Sequence, residues 1–434
     1  MPRRFANYRN SMIQATQHTL PNGLTVLLKE VHSAPVISWW LAYRVGSRNE
    51  PTGKTGISHW VEHMMFKGTP RFPAGMLDRE IDRAGGQWNA FTSMDATKYF
   101  ETLPADKIDI AMQAEADRMS NALFDREETE SERTVIISER QGAENQPTFW
   151  LQEELRAAAF RVHGYHHEII GDETDLRAMT RDDLYAHYRA HYQPANAAAI
   201  AVGAFDSRDM LAKIEKLYGD IPAQPAPELF ARPEPPQQGQ RRIAIERPGK
   251  TAFCEISHRA PAATHPDWMK LKLLDAVLSG SSGASDNKTS RLYAALVKSE
   301  IAASVSASLT PTVDPYLYSI LITLRDGRSP EEAEAALLGE IECLQKKGIS
   351  ENELNKARKQ SRAAFAYSTE SVTWQAYWLA QSFILGEVGW FDAYAERLMS
   401  VSADDVLDVA RRYLVPNQRV VGYLHPTDAQ GASA

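Results

Sequence analysis

Residues 56–69 of this 434-residue chain, GISHWVEHMMFKGT, carry two histidines and a glutamate in the order H-x-x-E-H. The apolar spacing and Gly68 predict a helix that stops at that glycine. On a helix, His59 and His63 lie one turn apart on one face, and Glu62 points to the same side. Two imidazoles so placed can reach one zinc ion, and the glutamate can take a proton from a water molecule. The motif therefore predicts a hydrolytic zinc site with Glu62 as general base.

A catalytic zinc site with one position left for water needs a third protein ligand. The best candidate lies in the acidic segment 126–144, REETESERTVIISERQGAE, which is predicted to be a helix. Glu132 and Glu139 are two helical turns apart and share one face. Val135 and Ile136 lie between them and are predicted to face the core. We predict Glu139 as the third ligand and Glu132 as a carboxylate that orients a ligand or polar neighbour.

The remaining histidines have less support as metal ligands. His187 and His191 are four residues apart on a predicted helix and form an alternative metal-binding pair, but no glutamate stands between them. Three further histidines crowd a predicted loop: His163, His166 and His167.

The chain also contains a repeated pattern on either side of a proline-rich segment, residues 219–240. Asp183 and Asp405 each complete a Ser/Thr-x-x-Asp capping box ahead of a predicted helix. Each is followed eleven residues later by a proline, Pro194 or Pro416, and then by a β-rich run. Two equal spacings and the same order of elements favour a duplicated domain.

The first half is predicted to alternate strands and segregated helices, which is typical of an α+β sandwich with a mostly antiparallel sheet covered by helices. The predicted domains are an N-terminal zinc-binding peptidase domain over residues 1–218, a linker over 219–240, and a homologous C-terminal domain over 241–434. Predicted strands occupy 25–31, 35–45 and 88–103, and predicted helices occupy 56–67, 106–124 and 126–144.

Composition excludes several classes of protein. The net charge of -8 disfavours nucleic acid as a partner, and two cysteines, Cys254 and Cys343, are too few for a disulfide framework or a Cys-type zinc site. No apolar run approaches the ~20 residues that a membrane-spanning helix needs. The first twenty residues are basic without an apolar stretch behind them, so a cytoplasmic location is expected, or a periplasmic or organellar one if a leader has been removed.

Taken together, several motifs resemble the pitrilysin/insulinase family of inverted-motif zinc peptidases, and most closely its branch with mitochondrial processing peptidase and paired bacterial peptidases. Gly56–Thr69 is similar to the family's zinc helix, and Gly85–Ser93 to the edge strand that follows. Glu132–Glu139 resembles its Glu-x6-Glu pattern, whose second glutamate binds zinc. Tyr192–Asn196 and Ser290–Leu292 extend the likeness into both halves.

The resemblance implies two homologous α+β domains per chain, which form half of a clamshell, with one zinc ion per chain. In this branch four such domains from two chains enclose a chamber in which peptides are cut. A substrate would add as a strand through main-chain hydrogen bonds. The substrate-binding residues implied are Asn89, Ala90, Phe91 and Thr92.

One departure from the family pattern concerns substrate binding. After the Ser-Arg-Leu motif, full peptidases of the family carry an arginine and, about eight residues later, a tyrosine. Here Val297 and Ser304 stand at or near those positions, and neither supplies the expected hydrogen bonds. The simplest hypothesis is a heterodimer in which a homologous chain without zinc supplies the Arg/Tyr pair.

Two other functions compete with the peptidase interpretation. One is a non-catalytic scaffold on the same fold, like the respiratory-complex core subunits that resemble this family. The other is a peptide-binding or transport module with a structural metal, although structural zinc usually has four protein ligands. The small-residue segment 279–287 lacks the Gly-Lys-Ser/Thr ending of a phosphate-binding loop and is predicted to be a mobile or tight-turning loop.

Overall fold

A computed structural model of the protein describes residues 15–225, 227, 232–280 and 288–428. Most of the predicted loop 279–287 therefore lies outside the described residues. The described residues contain eleven strands: β1 (Thr16–Thr19), β2 (Thr25–Glu30), β3 (Val36–Tyr43), β4 (Gln87–Thr92), β5 (Thr97–Pro104), β6 (Ala197–Gly203), β7 (Arg241–Pro248), β8 (Phe253–Ala260), β9 (Ala302–Leu309), β10 (Tyr316–Leu324) and β11 (Arg419–Thr427).

The same described residues contain fourteen α-helices, and a π-helical turn over Tyr293–Val297. None of these helices is both long enough and apolar enough to cross a bilayer. The helices are α1 (Ile57–Met64), α2 (Met76–Arg83), α3 (Ile108–Asn121), α4 (Arg126–Glu144), α5 (Phe149–Ala159), α6 (Glu173–Ala178), α7 (Arg181–His191), α8 (Ser207–Tyr218), α9 (Asp267–Leu278), α10 (Pro330–Lys347), α11 (Glu351–Tyr367), α12 (Val372–Ile384), α13 (Tyr394–Ser400) and α14 (Ala403–Tyr413).

The strands form two sheets with the same topology. The first has the order β1-β2-β6-β3-β5-β4 and the second β7-β11-β8-β10-β9. The pairs β2–β6 and β7–β11 are parallel, and the other neighbouring pairs in the two sheets are antiparallel. Leaving out β1, each strand of the first sheet has a counterpart at the same place in the second. The predicted fold class, two homologous α+β sandwiches with mostly antiparallel sheets, is confirmed.

The capping boxes that indicated duplication are present in both halves. Thr180 and Asp183 cap α7, and Ser402 and Asp405 cap α14, each pair with reciprocal side-chain-to-backbone hydrogen bonds. Each helix then leads through a 3₁₀ turn that begins with proline into a central strand, β6 or β11. Residues 219–240 contain no helix or strand where they are described, and the predicted domain boundaries at 218 and 241 stay a prediction.

The two halves exchange one helix each. Helix α5 from the first half packs on β7 and β11, and α12 from the second half packs on β3 and β6. Gly422 of β11 makes room for α5, because a Cβ there would lie 2.8 Å from the Leu151 side chain. At the end of α12, the Arg44 guanidinium donates to the Phe383 carbonyl at 3.0 Å. Each sheet therefore has one face covered by a helix from the other half.

Two local predictions were wrong. Helix α1 ends at Met64 rather than running to Gly68. Gly68 has a positive φ of 95° and forms an isolated β-bridge with Pro73. Val135 is 49% exposed, whereas Ile136 is fully buried as predicted. Consecutive residues on a helix point about 100° apart, so the buried stripe of α4 includes only one of the two.

Candidate metal centre

Helix α1 holds the H-x-x-E-H residues, and its beginning is tightly built. Gly56 precedes the helix with φ 86°, and a Cβ there would lie 2.3 Å from the Ile170 carbonyl oxygen. The buried carboxylate of Glu50 accepts the Gly56 and Ser58 backbone N–H groups at 2.8 and 2.9 Å. These bonds satisfy donors that a helix start leaves unpaired, so they fix the position of the motif. Sequence reasoning missed Glu50, because nothing in its spacing marks it as a cap.

The structure brings His59, His63 and Glu139 together. The His59 and His63 rings lie 4.6 Å apart between centroids. The Glu139 Oε2 atom, on α4, is 3.9 Å from His59 Nε2 and 3.7 Å from His63 Nε2. Ligand atoms bound at ~2.0–2.1 Å around a tetrahedral ion lie about 3.3 Å apart. All three ligand atoms lie within 4.8 Å of one another, so side-chain adjustment would bring them around one small divalent cation.

Glu132, two turns before Glu139 on α4, contacts His63 at the ring nitrogen that does not face Glu139. His63 Nδ1 and Glu132 Oε1 are 2.8 Å apart, and the Lys67 ammonium pairs with the second oxygen of the same carboxylate. The His63 hydrogen bond, with Lys67 adding to it, lowers the pKa of Glu132 to about 2 despite partial burial. An ionised Glu132 requires a proton on His63 Nδ1 for this bond, which leaves Nε2 free to face Glu139.

The two histidines have opposite electrostatic surroundings. Burial, and then the neighbouring His63, lowers the pKa of His59 to about 3, so His59 is neutral as a metal ligand must be. For His63, burial lowers the pKa, but the Glu132 hydrogen bond and the surrounding carboxylates raise it more. A proton therefore competes for His63 more than for His59.

Glu62 lies beside this group and is almost completely buried. Burial raises its pKa, while a hydrogen bond of 2.6 Å from the Thr92 hydroxyl to Oε2 opposes that rise. A carboxyl with a raised pKa, held in one orientation, suits proton transfer near neutral pH. Thr92 was predicted only as part of a substrate strand, and the structure gives its side chain this second contact.

Strand β4, which carries Asn89 to Thr92, is the outer strand of the first sheet beside α1. The Ala90 N–H donates to Asn89 Oδ1, on the same strand, at 2.8 Å. An outer strand has a neighbouring strand along one edge only. A backbone N–H that bonds to a side chain of its own strand can exchange that bond for one to an added strand.

The turn after β4 is fixed by contacts with the second half. Buried Asp95 accepts from the Tyr165 hydroxyl at 2.6 Å and from the Val313 N–H at 3.0 Å. The Arg48 guanidinium pairs with both Asp95 and Asp314, at nitrogen–oxygen distances of 3.3 and 3.2 Å. No sequence pattern predicted this network, since its members come from four separate segments of the chain.

The other residues singled out from the sequence lie elsewhere. The His187 and His191 rings lie 4.5 Å apart between centroids, but His187 Nε2 is 3.2 Å from the Ser58 hydroxyl. Within the described part of the chain, His59, His63 and Glu139 are the one group of three or more such side chains with ligand atoms within 4.8 Å of one another. Val297 ends the π-helical turn, and Ser304 lies in β9 opposite Thr323 of β10.

Comparisons with known proteins assign both halves. Residues 25–173 match the family model described as insulinase (peptidase family M16), and residues 178–361 match the model described as peptidase M16 inactive domain. Together the two matches cover most of the chain.

Individual relatives agree along nearly the whole length. The chain is 29% identical to zinc protease PqqE of Helicobacter pylori, over 94% of this chain and 92% of that protein. It is 25% identical to a probable mitochondrial-processing peptidase subunit beta of Arabidopsis thaliana, over 94% of this chain and 78% of that protein. The crystal structure of a protease from Helicobacter pylori superimposes with a TM-score of 0.91 at 27% identity, over 95% of this chain and 99% of the other.

Proposed function

The chain belongs to peptidase family M16, and from that membership we propose that it is a zinc metalloendopeptidase that hydrolyses peptides in an enclosed chamber. The resemblance predicted from the motifs is thereby confirmed. One observation carries the proposal: two imidazole nitrogens and a carboxylate oxygen converge beside the buried carboxylate of Glu62. Relatives named as zinc proteases support the choice of metal.

His59, His63 and Glu139 would hold the zinc ion, and Glu132 would orient His63. When bound, zinc makes water acidic near neutral pH and polarises the carbonyl of the scissile bond. Glu139 is 48% exposed at its side chain, so the site is open to solvent and to a peptide on that side. Three protein ligands with an adjacent base match a catalytic site better than a structural one, which usually has four.

Glu62 would act as the general base. Its carboxylate takes a proton from the attacking water and then gives it to the nitrogen of the departing amine. The Thr92 hydroxyl holds Oε2 at 2.6 Å, which leaves Oε1 for the moving proton. Burial keeps the pKa of Glu62 above its usual value, so the protonated form is a competent acid in the second step.

A peptide substrate would add alongside β4. Its carbonyl would replace Asn89 Oδ1 as the acceptor for the Ala90 N–H, and the released Asn89 amide could then hold the peptide. Main-chain pairing of this kind tolerates varied sequences. It also brings the peptide backbone next to Thr92, and hence next to Glu62.

We further propose that the working enzyme is a heterodimer. Val297 and Ser304 cannot supply the hydrogen bonds that the arginine and tyrosine of full family members are expected to supply. The Arabidopsis relative is named as a subunit, which supports assembly with a homologous partner. The partner would contribute the Arg/Tyr pair, and this chain the metal.

A scaffold without catalysis is the alternative. The match of residues 178–361 to an inactive-domain model, together with Val297 and Ser304, favours it. The intact His59, Glu62, His63 and Glu139 set argues against it, because a scaffold has no need of a base aimed at a metal.

Metal analysis and peptide cleavage together separate these functions. The unmodified chain and Glu62→Gln are tested with a quenched-fluorescent peptide library, alone and with a co-expressed family member that lacks the motif. We expect about one zinc per chain in both, low cleavage alone, gain with the partner, and loss of cleavage in Glu62→Gln. Glu130→Gln, at an exposed position on α4, is the matched control. Absence of zinc, or equal turnover in Glu62→Gln, would refute the peptidase proposal, and full activity of a verified monomer would refute the heterodimer.

A further inference from the structure

The face of β4 opposite α1 carries an aromatic surface that the proposed chemistry does not use. Along β4, Trp88, Ala90 and Thr92 face α1, whereas Phe91 points to the other side of the sheet. There its ring lies 6.3 Å from Trp40 and 6.3 Å from Tyr377 of α12. A strand that adds to β4 must alternate its side chains between these same two faces.

Helix α12 extends this aromatic surface toward solvent. Thr373 and Tyr377 are one turn apart on the side of α12 that faces β5 and β4, with Thr373 Oγ1 2.8 Å from Thr102 Oγ1. Trp374, one turn before Tyr377, lies 5.4 Å from its ring in an edge-to-face arrangement. Trp374 is 53% exposed, which is unusual for so large an apolar side chain. We call Phe91, Trp374 and Tyr377 the aromatic shelf.

A buried lysine lies under the shelf. The Lys98 ammonium, 4.7 Å from the Tyr377 ring centroid and 5.5 Å from that of Phe91, donates to Gln381 Oε1 at 2.7 Å. Lys98 is 1% exposed, and Coulomb repulsion at this depth is poorly screened. Burial lowers the pKa of Lys98 to about 7. Below that pH the rings therefore already face one cation, and a second, basic side chain above them is disfavoured.

We propose that the aromatic shelf is a specificity site that accepts a large apolar side chain, such as Leu or Phe, from the substrate residue opposite Phe91. The proposal rests on the peptidase function and on strand addition to β4. Directly opposite residues in paired strands have Cβ atoms about 4.5–5.5 Å apart, which places that one substrate side chain over Phe91. Tyr377 lies on the same side of the sheet as Phe91, and Trp374 contacts Tyr377. Substrate side chains of the other face meet α1 and the metal centre instead.

The test is a positional series of fluorescent peptides, each carrying Ala, Leu, Phe or Arg at one varied position. Binding is followed by anisotropy on zinc-loaded Glu62→Gln protein, and kcat/KM on the active assembly. At one position we expect peptides with Leu or Phe to exceed those with Ala about tenfold in affinity and in kcat/KM, which is the size expected for burying part of one such side chain. Peptides with Arg there should do no better than those with Ala. Trp374→Ala should reduce that ratio to about twofold, and Trp374→Glu should shift preference toward Arg. Met399→Ala, at another exposed apolar residue, on α13, should keep it.

The outcomes separate this inference from the proposed function. If no peptide is cleaved by any assembly, the peptidase proposal fails. If peptides are cleaved with an unchanged preference in both folded Trp374 variants, the shelf proposal alone is overturned. Circular dichroism and zinc content establish that each variant is folded before its preference is compared.

Discussion

Replacing Glu132 should weaken zinc binding without touching a ligand. Its carboxylate receives the His63 Nδ1 hydrogen at 2.8 Å, and a hydrogen bond to a charged group contributes about 1.5–3 kcal/mol against about 0.5–1.5 for a neutral one. Glu132→Gln keeps an acceptor and loses only the charge, about 1 kcal/mol, so the zinc dissociation constant should rise about fivefold. Glu132→Ala removes the acceptor as well, and loss of such a partner costs roughly 10–100-fold.

The assay is zinc competition with a chromophoric chelator at pH 8, where protons compete less for His63 than at neutral pH. Glu130→Gln changes an exposed acid of the same helix and is the matched control. It should bind zinc as the unmodified protein does. Lys67→Met tests the other partner of Glu132 and should change affinity by less than about threefold, because Lys67 touches no ligand. Unchanged zinc affinity in folded Glu132→Ala would refute the orienting role of Glu132.

Three further predictions concern the base, the contact between halves and the buried lysine. Thr92→Val removes a bond that lowers the pKa of Glu62, so the acidic limb of the kcat/KM profile should move to higher pH, and Thr92→Ser should restore it. Asp95→Asn should lower the free energy of unfolding in urea by about 2 kcal/mol rather than more, since Arg48 keeps a second aspartate partner. Burial lowers the pKa of Lys98 from 10.5 to about 7. Between these two pH values the unfolded chain carries a proton on Lys98 that the folded chain lacks. The free energy of unfolding should therefore rise with pH across that window, by up to about 1.4 kcal/mol per pH unit. Lys98→Met should lack this rise when urea midpoints at pH 7.5 and 9 are compared.

The parts of the site that local sequence could predict are those made within one helix. The i, i+4 spacing of His59 and His63 and the seven-residue spacing of Glu132 and Glu139 each define a face, and the structure brings the two faces together. Lys67 follows His63 by one turn, so its contact with Glu132 was available to the same reasoning. The failure at Val135 came from reading two adjacent residues as one stripe.

The parts that could not be predicted depend on contacts between distant segments. The Thr92 hydroxyl reaches Glu62 only because β4 lies against α1, and Asp95 meets Val313 across 218 positions of sequence. Helix α5 reads as an ordinary amphipathic helix, and nothing in its pattern says which sheet it covers. Pairing partners over such distances are set by the whole packing, not by local periodicity.

The exchange of α5 and α12 bears on how the site works. All residues proposed to hold or assist the metal come from the first half, yet Trp40, Ala198 and Ile200 of its sheet are buried in a cluster with helices of the second half. Exposing an apolar face of that size to water is unfavourable, so the first half is not expected to keep the structure of its sheet without α12. Strand β4 is the edge of that sheet, and both Thr92 and the aromatic shelf depend on its position. The second half is therefore expected to support the proposed metal centre structurally, even though it supplies none of the proposed ligands.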